Sequence, residues 1–198
     1  MRVSIRFVLL IAFLYSPAFV FSADLEKGLA AFNEGDYATS LAECQPLADE
    51  GIAGAQFCVG RLYANGFGVA MDDAQAVKWY GLASDAGHAE AQFNLGVMYA
   101  NGWGVDMIWE ESARYYTLAA EQGFVPAQKA LAYSYGHGMG VLKDRVQAYT
   151  WYDIAAQIDN DLGAGLKRDD LVEKMSADEV ARAQQAALKW LGDSQSKE

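Results

Sequence analysis

The stretch from Ala91 to Gly123 reads AQFNLGVMYANGWGVDMIWEESARYYTLAAEQG, and it decides the fold because the chain contains it three times. Ala55 opens AQFCVGRLYANGFGVAMDDAQAVKWYGLASDAG and Ala127 opens AQKALAYSYGHGMGVLKDRVQAYTWYDIAAQ, each displaced by 36 residues with no internal gap. Gly60, Gly96 and Ala132 correspond, as do Tyr63, Tyr99 and Tyr135. So do Tyr80, Tyr116 and Tyr152, and Ala83, Ala119 and Ala155. A fixed period between about 20 and 50 residues is the mark of a solenoid, in which each unit buries its apolar face only by stacking on its neighbours.

Each unit reads as two helices. Phe93, Leu95, Val97, Met98 and Tyr99 surround the small Gly96, where a second helix can approach closely. After a Gly-x-Gly-Val turn, Ala76, Val77, Tyr80 and Ala83 recur at helical rather than alternating spacing. Asp72 and Asp144 stand where the second helix needs a cap. The second repeat has Ile108 there, so either Asp106 caps it or the start is shifted. Gly51, Gly87 and Gly123 follow each second helix as stops, since glycine adopts the left-handed conformation that closes a helix.

These features give core repeats at 55–90, 91–126 and 127–158. A half-matching unit covers 24–54. Its second helix begins after Asp36 and contains Pro46, which is expected to kink it, and its first covers Leu25 to Phe32. A C-terminal capping hairpin covers 162–191, with Ser176 and Glu179 as a capping box and Gly192 as its stop. Residues 193–198 are expected to form a flexible tail. The solenoid thus spans 24–192, about five hairpins.

Residues 1–22 read as something else. Arg2 and Arg6 precede an unbroken apolar run from Phe7 to Tyr15, then Ser16-Pro17 and a short run to Phe21, the pattern of a secretory signal peptide cleaved after Ser22 or Ala23. A membrane anchor needs about 20 apolar residues, and Ser16-Pro17 interrupts this run. With no integral membrane segment after cleavage, the expected location is periplasmic or secreted.

Composition narrows the function. The 198 residues carry 15 Lys+Arg against 26 Asp+Glu, a net charge of −11, which becomes −13 once Arg2 and Arg6 are removed. That balance argues against a nucleic-acid binder, which needs a basic footprint. At 53% hydrophobic the chain has ample material for a core. Its 19 glycines beside 3 prolines fit helices punctuated by turns.

The run A-x-x-x-L-G-x-M-Y-x-N-G-x-G-V with A-x-x-Y-Y-x-x-A-A-x-x-G in Ala91 to Gly123 resembles the Sel-1-like repeat, a relative of the tetratricopeptide repeat. The resemblance covers about Gly35 to Trp190. The third repeat departs from it, with Lys129-Ala130 in place of Phe-Asn and Asp159-Asn160-Asp161 in place of the closing glycine. The resemblance implies an all-α, right-handed α/α superhelix acting as a protein-binding scaffold, adaptor or regulator in the bacterial cell envelope. In such arrays the first helix of each pair lines a groove. The groove-facing positions are then Phe57, Arg61 and Asn65, Phe93, Val97 and Asn101, and Lys129, Tyr133 and His137. A peptide or protein segment is the partner implied, with the chain itself a monomer.

Cys44 falls in the second helix of one pair and Cys58 in the first helix of the next, on helices running antiparallel about the Gly51 turn. Export favours a disulfide between them, and related cysteine-rich repeat proteins staple helix pairs similarly. Two unpaired buried thiols are the other reading.

The remaining chemistry-bearing residues have plainer explanations. Gly66-Phe67-Gly68, Gly102-Trp103-Gly104 and Gly138-Met139-Gly140 resemble pieces of a phosphate loop, but they lie between two helices instead of between a strand and a helix. They are read as turns whose aromatic or Met packs on the next unit. His88 and His137 lack zinc-ligand spacing and are read as surface residues. Asp72-Asp73, Glu110-Glu111 and Asp169-Asp170 are read as acids at helix starts. No catalytic, cofactor or metal residue is assigned. Some cysteine-rich relatives have been regarded as β-lactam-binding or hydrolysing proteins, which is the alternative function. Ser194-x-x-Lys197 matches S-x-x-K, but without its companion Ser-Asp-Asn and Lys-Thr-Gly motifs.

Overall fold

The computed structural model describes residues 17–195. Among these residues the secondary structure is ten α-helices: α1 (Pro17–Glu34), α2 (Tyr37–Asp49), α3 (Ala53–Asn65), α4 (Asp73–Asp85), α5 (Ala89–Asn101), α6 (Trp109–Glu121), α7 (Val125–His137), α8 (Arg145–Asp159), α9 (Leu162–Val172) and α10 (Ala177–Gln195). Residues 1–16 of the expected signal peptide lie outside the described residues, and the expected cleavage points fall within the first turns of α1.

Helices pack in sequence order. α1 pairs with α2, α3 with α4, α5 with α6 and α7 with α8, and each second helix then packs on the first helix of the next pair. This is an α/α solenoid. The repeating helices begin at Ala53, Ala89 and Val125, two residues before the phase read from the sequence.

The core of the α3–α4 and α5–α6 pairs is a glycine under a tyrosine. Gly60 packs against the Tyr80 ring and Gly96 against the Tyr116 ring, so closely that an added Cβ would stand 2.6 and 2.5 Å from ring carbons. Around these contacts Leu62, Leu95, Leu131 and Ile154 are almost wholly buried.

The turn inside each pair has a fixed geometry too. The backbone N–H of Asp72, Ile108 and Asp144 donates to the carbonyl of Tyr63, Tyr99 and Tyr135, at 3.0, 3.1 and 2.9 Å. That bond explains the second repeat, where the sequence left two alternatives. α6 begins in the common register with Ile108 at its N-cap and no side-chain cap, so neither Asp106 capping nor a shifted start is needed. Asp36, Asp72 and Asp144 do cap α2, α4 and α8, accepting from Thr39, Gln75 and both Val146 and Gln147.

Successive units meet through the same turn. Gly68 lies against Tyr37, the first residue of α2, while Cβ atoms at Gly104 and Gly140 would overlap the carbonyls of Asp73 and Trp109, the first residues of α4 and α6. The turn therefore presses back onto the preceding pair. Phe67 follows it, stacking on Tyr37 with ring centroids 4.3 Å apart, which corrects the expectation that the turn aromatic packs forward. Trp103, at the equivalent place, is half exposed.

Cys44 and Cys58 form the disulfide, joining α2 to α3 across 14 residues of sequence with Cα atoms 6.4 Å apart. Gly28 of α1 lies directly over Cys44, where a Cβ would be 2.7 Å from Sγ.

The C-terminal end departs from the expected hairpin. α10 folds along α8 rather than onto α9. Trp190 meets Trp151 edge-on at 5.9 Å, Thr150 Oγ1 donates to the Ala183 carbonyl, and Ala183 and Ala187 are completely buried. Ser176 and Glu179 form the expected capping box. Gly192 is not a stop, because α10 continues through it to Gln195 and Ser194 Oγ donates back to the Trp190 carbonyl. Glycine weakens a helix by about 1 kcal/mol, too little to end one anchored by a buried seam. Asp169 and Asp170 lie in the last turn of α9, not at a helix start, and Asp169 is held there by Arg168. Where the third repeat lacks its glycine, α8 runs to Asp159 and Asn160 takes the left-handed conformation, φ 51°. Asn tolerates that region better than other non-glycine residues.

Candidate protein-binding face

The first helices α3, α5 and α7 present their groove positions in equivalent places, but the side chains there do different work. Phe57 is 7% exposed, stacked on His88 at 4.5 Å and tilted against Tyr80, so it belongs to the core. Phe93 is half-buried between Tyr116 and Phe124, and Val97 joins the same apolar cluster. Asn65 and Asn101 are exposed, yet their amides donate to the Arg61 and Val97 carbonyls one turn back, at 2.8 and 2.7 Å, which ends the helices before Gly66 and Gly102.

Three positions offer more. The Arg61 guanidinium lies 3.8 Å over the Phe32 ring and is half-buried. Lys129 pairs with Asp161, the N-cap of α9, and that bond holds the Asp161 carboxyl below its ordinary range. Tyr133 is 48% exposed and stacks on His137 at 4.0 Å, while His137 Nδ1 lies 2.9 Å from the Tyr133 carbonyl. Tyr133 and His137 line a cavity of about 350 Å³ between α7, α8 and α9. Tyr152 is its largely buried wall, and burial raises the phenol above its ordinary value.

His88 is not the surface residue expected. It is the N-cap of α5, its Nδ1 accepting from the Ala91 N–H at 3.4 Å, and its ring is stacked on Phe57. Burial lowers its pKa, a shift the nearby Glu90 carboxylate partly opposes. Nor did the sequence reveal a role for Gln56, Gln92 and Gln128, buried in the first turns of α3, α5 and α7. Each Nε2 donates at 3.3 Å to a carbonyl near the end of the preceding helix, Ala48, Ser84 or Ala120. The recurrent Ala-Gln pair was the available signal.

Ser194 of the S-x-x-K match lies on α10, and Lys197 is outside the described residues. Among the described residues no cluster of His, Cys, Asp and Glu is spaced to hold a metal ion, and no helix is long and apolar enough to cross a membrane.

Stacked helix pairs in a constant 36-residue register, closed by an atypical end, define a helical-repeat solenoid protein. Within that class the chain belongs to the Sel1 repeat family, whose model matches residues 53–88, 89–124 and 125–160, more than half of its length. Sel1 repeat proteins generally serve as protein–protein interaction scaffolds. A Sel1 repeat protein from Oxalobacter formigenes is 39% identical, with a TM-score of 0.61, over 66% of this chain and 98% of that one. The antigen c5321, a protective antigen present in uropathogenic Escherichia coli strains and displaying an SLR fold, is 26% identical with a TM-score of 0.51. That match covers 88% of this chain, which spans about half of c5321 (48%). Among curated proteins none matches significantly.

Proposed function

We propose that this protein is an exported, non-enzymatic adaptor of the bacterial cell envelope that binds a peptide or protein segment along the face formed by its first helices. The observation that carries the reading is Tyr133, a large aromatic left about half exposed and stacked on His137 beside a cavity. Exposed aromatics flanking a cavity are the side chains on which binding energy concentrates. The disulfide and the apolar N-terminal run of the sequence support an oxidising compartment.

Affinity capture from an envelope extract, with partners identified by mass spectrometry, tests it. Partners should be retained by the wild type and lost by the Arg61→Glu/Tyr133→Ala double variant and by Tyr133→Ala alone. The single variant removes an exposed ring and leaves the core intact. Retention of the same partners by both variants would overturn the reading.

A further inference from the structure

Cations are scarce in this acidic chain, and five of those among the described residues are matched by carboxylates. Lys27 pairs with Glu43, Arg114 with Glu111, Lys129 with Asp161, Arg168 with Asp153 and Asp169, and Arg182 with Asp178. The cavity between α7, α8 and α9 gathers four cations that are not so matched. Lys143, Arg145, Lys167 and Lys174 all line it, against one acid, Asp170. Among the described residues none of the four cations has a carboxylate within 4.0 Å, although Glu179 lies close enough to Arg145 to feel its charge. Like charges lining one cavity repel one another, and a bound anion relieves that repulsion.

The repeat itself shows that this cluster is local. Lys143 stands where the two preceding repeats have Met71 and Met107, and Arg145 where they have Asp73 and Trp109. Tyr133, with Val97 and Arg61 as its counterparts, places an exposed ring at the rim. Cations around an aromatic wall suit a short segment carrying carboxylates beside an apolar side chain. An extended polyanion such as a nucleic acid is disfavoured by the net charge of −11.

We infer that the cavity between α7, α8 and α9 is a recognition site for an acidic peptide segment, whose carboxylates pair with Lys143, Arg145, Lys167 and Lys174. The inference rests on the protein-binding reading above and names the chemistry of the segment bound.

Fluorescence anisotropy on the purified full chain at low salt tests it. The ligands are a short fluorescein-labelled Glu/Leu peptide, its Gln/Leu counterpart, its C-terminally amidated form and a labelled oligonucleotide of similar length. The Glu/Leu peptide should bind, and the Gln/Leu peptide should bind at least about tenfold more weakly, the loss expected when charge-assisted hydrogen bonds go. Lys167→Glu/Lys174→Glu should weaken binding of the Glu/Leu peptide by a similar factor. Lys143→Met, which restores the residue of the earlier repeats, should weaken it less. All the substituted side chains are exposed, and unchanged melting temperatures verify that the variants fold. The amidated form should bind as well as the free peptide, because the side-chain carboxylates carry recognition; loss of its binding would place recognition in the chain terminus and overturn the inference. Absent binding of the Glu/Leu peptide, equal binding of the Gln/Leu peptide, undiminished binding by the charge-reversed variant or tighter binding of the oligonucleotide would overturn it. Envelope partners lost with Tyr133→Ala but retained by Lys167→Glu/Lys174→Glu would defeat this inference while leaving the adaptor reading standing.

Discussion

Gly96 lies so close beneath Tyr116 that a Cβ there would stand 2.5 Å from two carbons of the ring. Gly81, inside α4, has nothing within 4 Å of the same construction. The two glycines should therefore respond oppositely to alanine. Gly81→Ala should stabilise by about 0.5–1 kcal/mol, because alanine restricts the unfolded chain and favours helix. Gly96→Ala gains the same propensity but must displace a buried ring, so it should destabilise by about 1–2 kcal/mol net. Urea unfolding midpoints of the two variants test the sign. Stabilisation by Gly96→Ala would show that the helix pairs are not held by this approach.

The Cys44–Cys58 bridge closes a short loop between α2 and α3, where Gly28 leaves room for its sulfur. Closing a loop of this length stabilises by about 3 kcal/mol in the chain-entropy model. Cys44→Ser/Cys58→Ser should lower stability by roughly that amount. The wild type should yield no titratable thiols under denaturing conditions until a reductant is added. Two thiols titrating before reduction would show that the bridge is absent from the protein.

Much of this was legible because the repeat supplies its own comparison. The glycines at close helix approach, the cysteines on facing helices and the aspartate caps follow from aligning the chain on itself, whereas the tyrosines lying over those glycines do not. What stayed hidden depends on distance between units. Phe67 could pack forward or back, and only the approach of Gly68 to Tyr37 decides. Gly192 reads as a stop unless Trp190 and Leu191 are known to pack on the α7–α8 core. Phe57 and Tyr133 occupy comparable groove positions, yet His88 and Tyr80 cover the first while the second remains exposed. The four cations of the cavity come from two separate segments, 143–145 and 167–174, so no single window of sequence collects them.

The buried glutamines make a graded prediction. Gln92 Nε2 donates to the Ser84 carbonyl and its Oε1 accepts from Gln122 at 2.6 Å, whereas among the described residues Gln128 donates only to the Ala120 carbonyl and its Oε1 is buried without a hydrogen-bond partner. Each net hydrogen bond contributes about 1 kcal/mol, and an orphaned buried partner costs about 1–3 kcal/mol. Gln92→Leu should therefore cost about 2 kcal/mol and exceed Gln128→Leu. Chemical denaturation of the two variants ranks them, and the reverse order would mean that the Gln122 bond contributes nothing.

His88 gives the fold a pH dependence with a defined sign. Burial against Phe57 disfavours the imidazolium, so the folded pKa lies below the ordinary 6.5, while the unfolded chain keeps the ordinary value. Below about pH 6.5 the unfolded state then binds a proton that the folded state refuses, and stability falls as pH drops towards the folded pKa. Protonation of Nδ1 would also remove the acceptor that caps α5 through Ala91. His88→Asn keeps an N-cap acceptor without a titrating group. Carboxylates titrate in the same direction at lower pH, so the informative quantity is the difference between the two proteins. The wild type should lose more stability than His88→Asn between neutral pH and pH 5.5, with the curves parallel above pH 7.5. Parallel curves throughout would place the imidazole in water and not against Phe57.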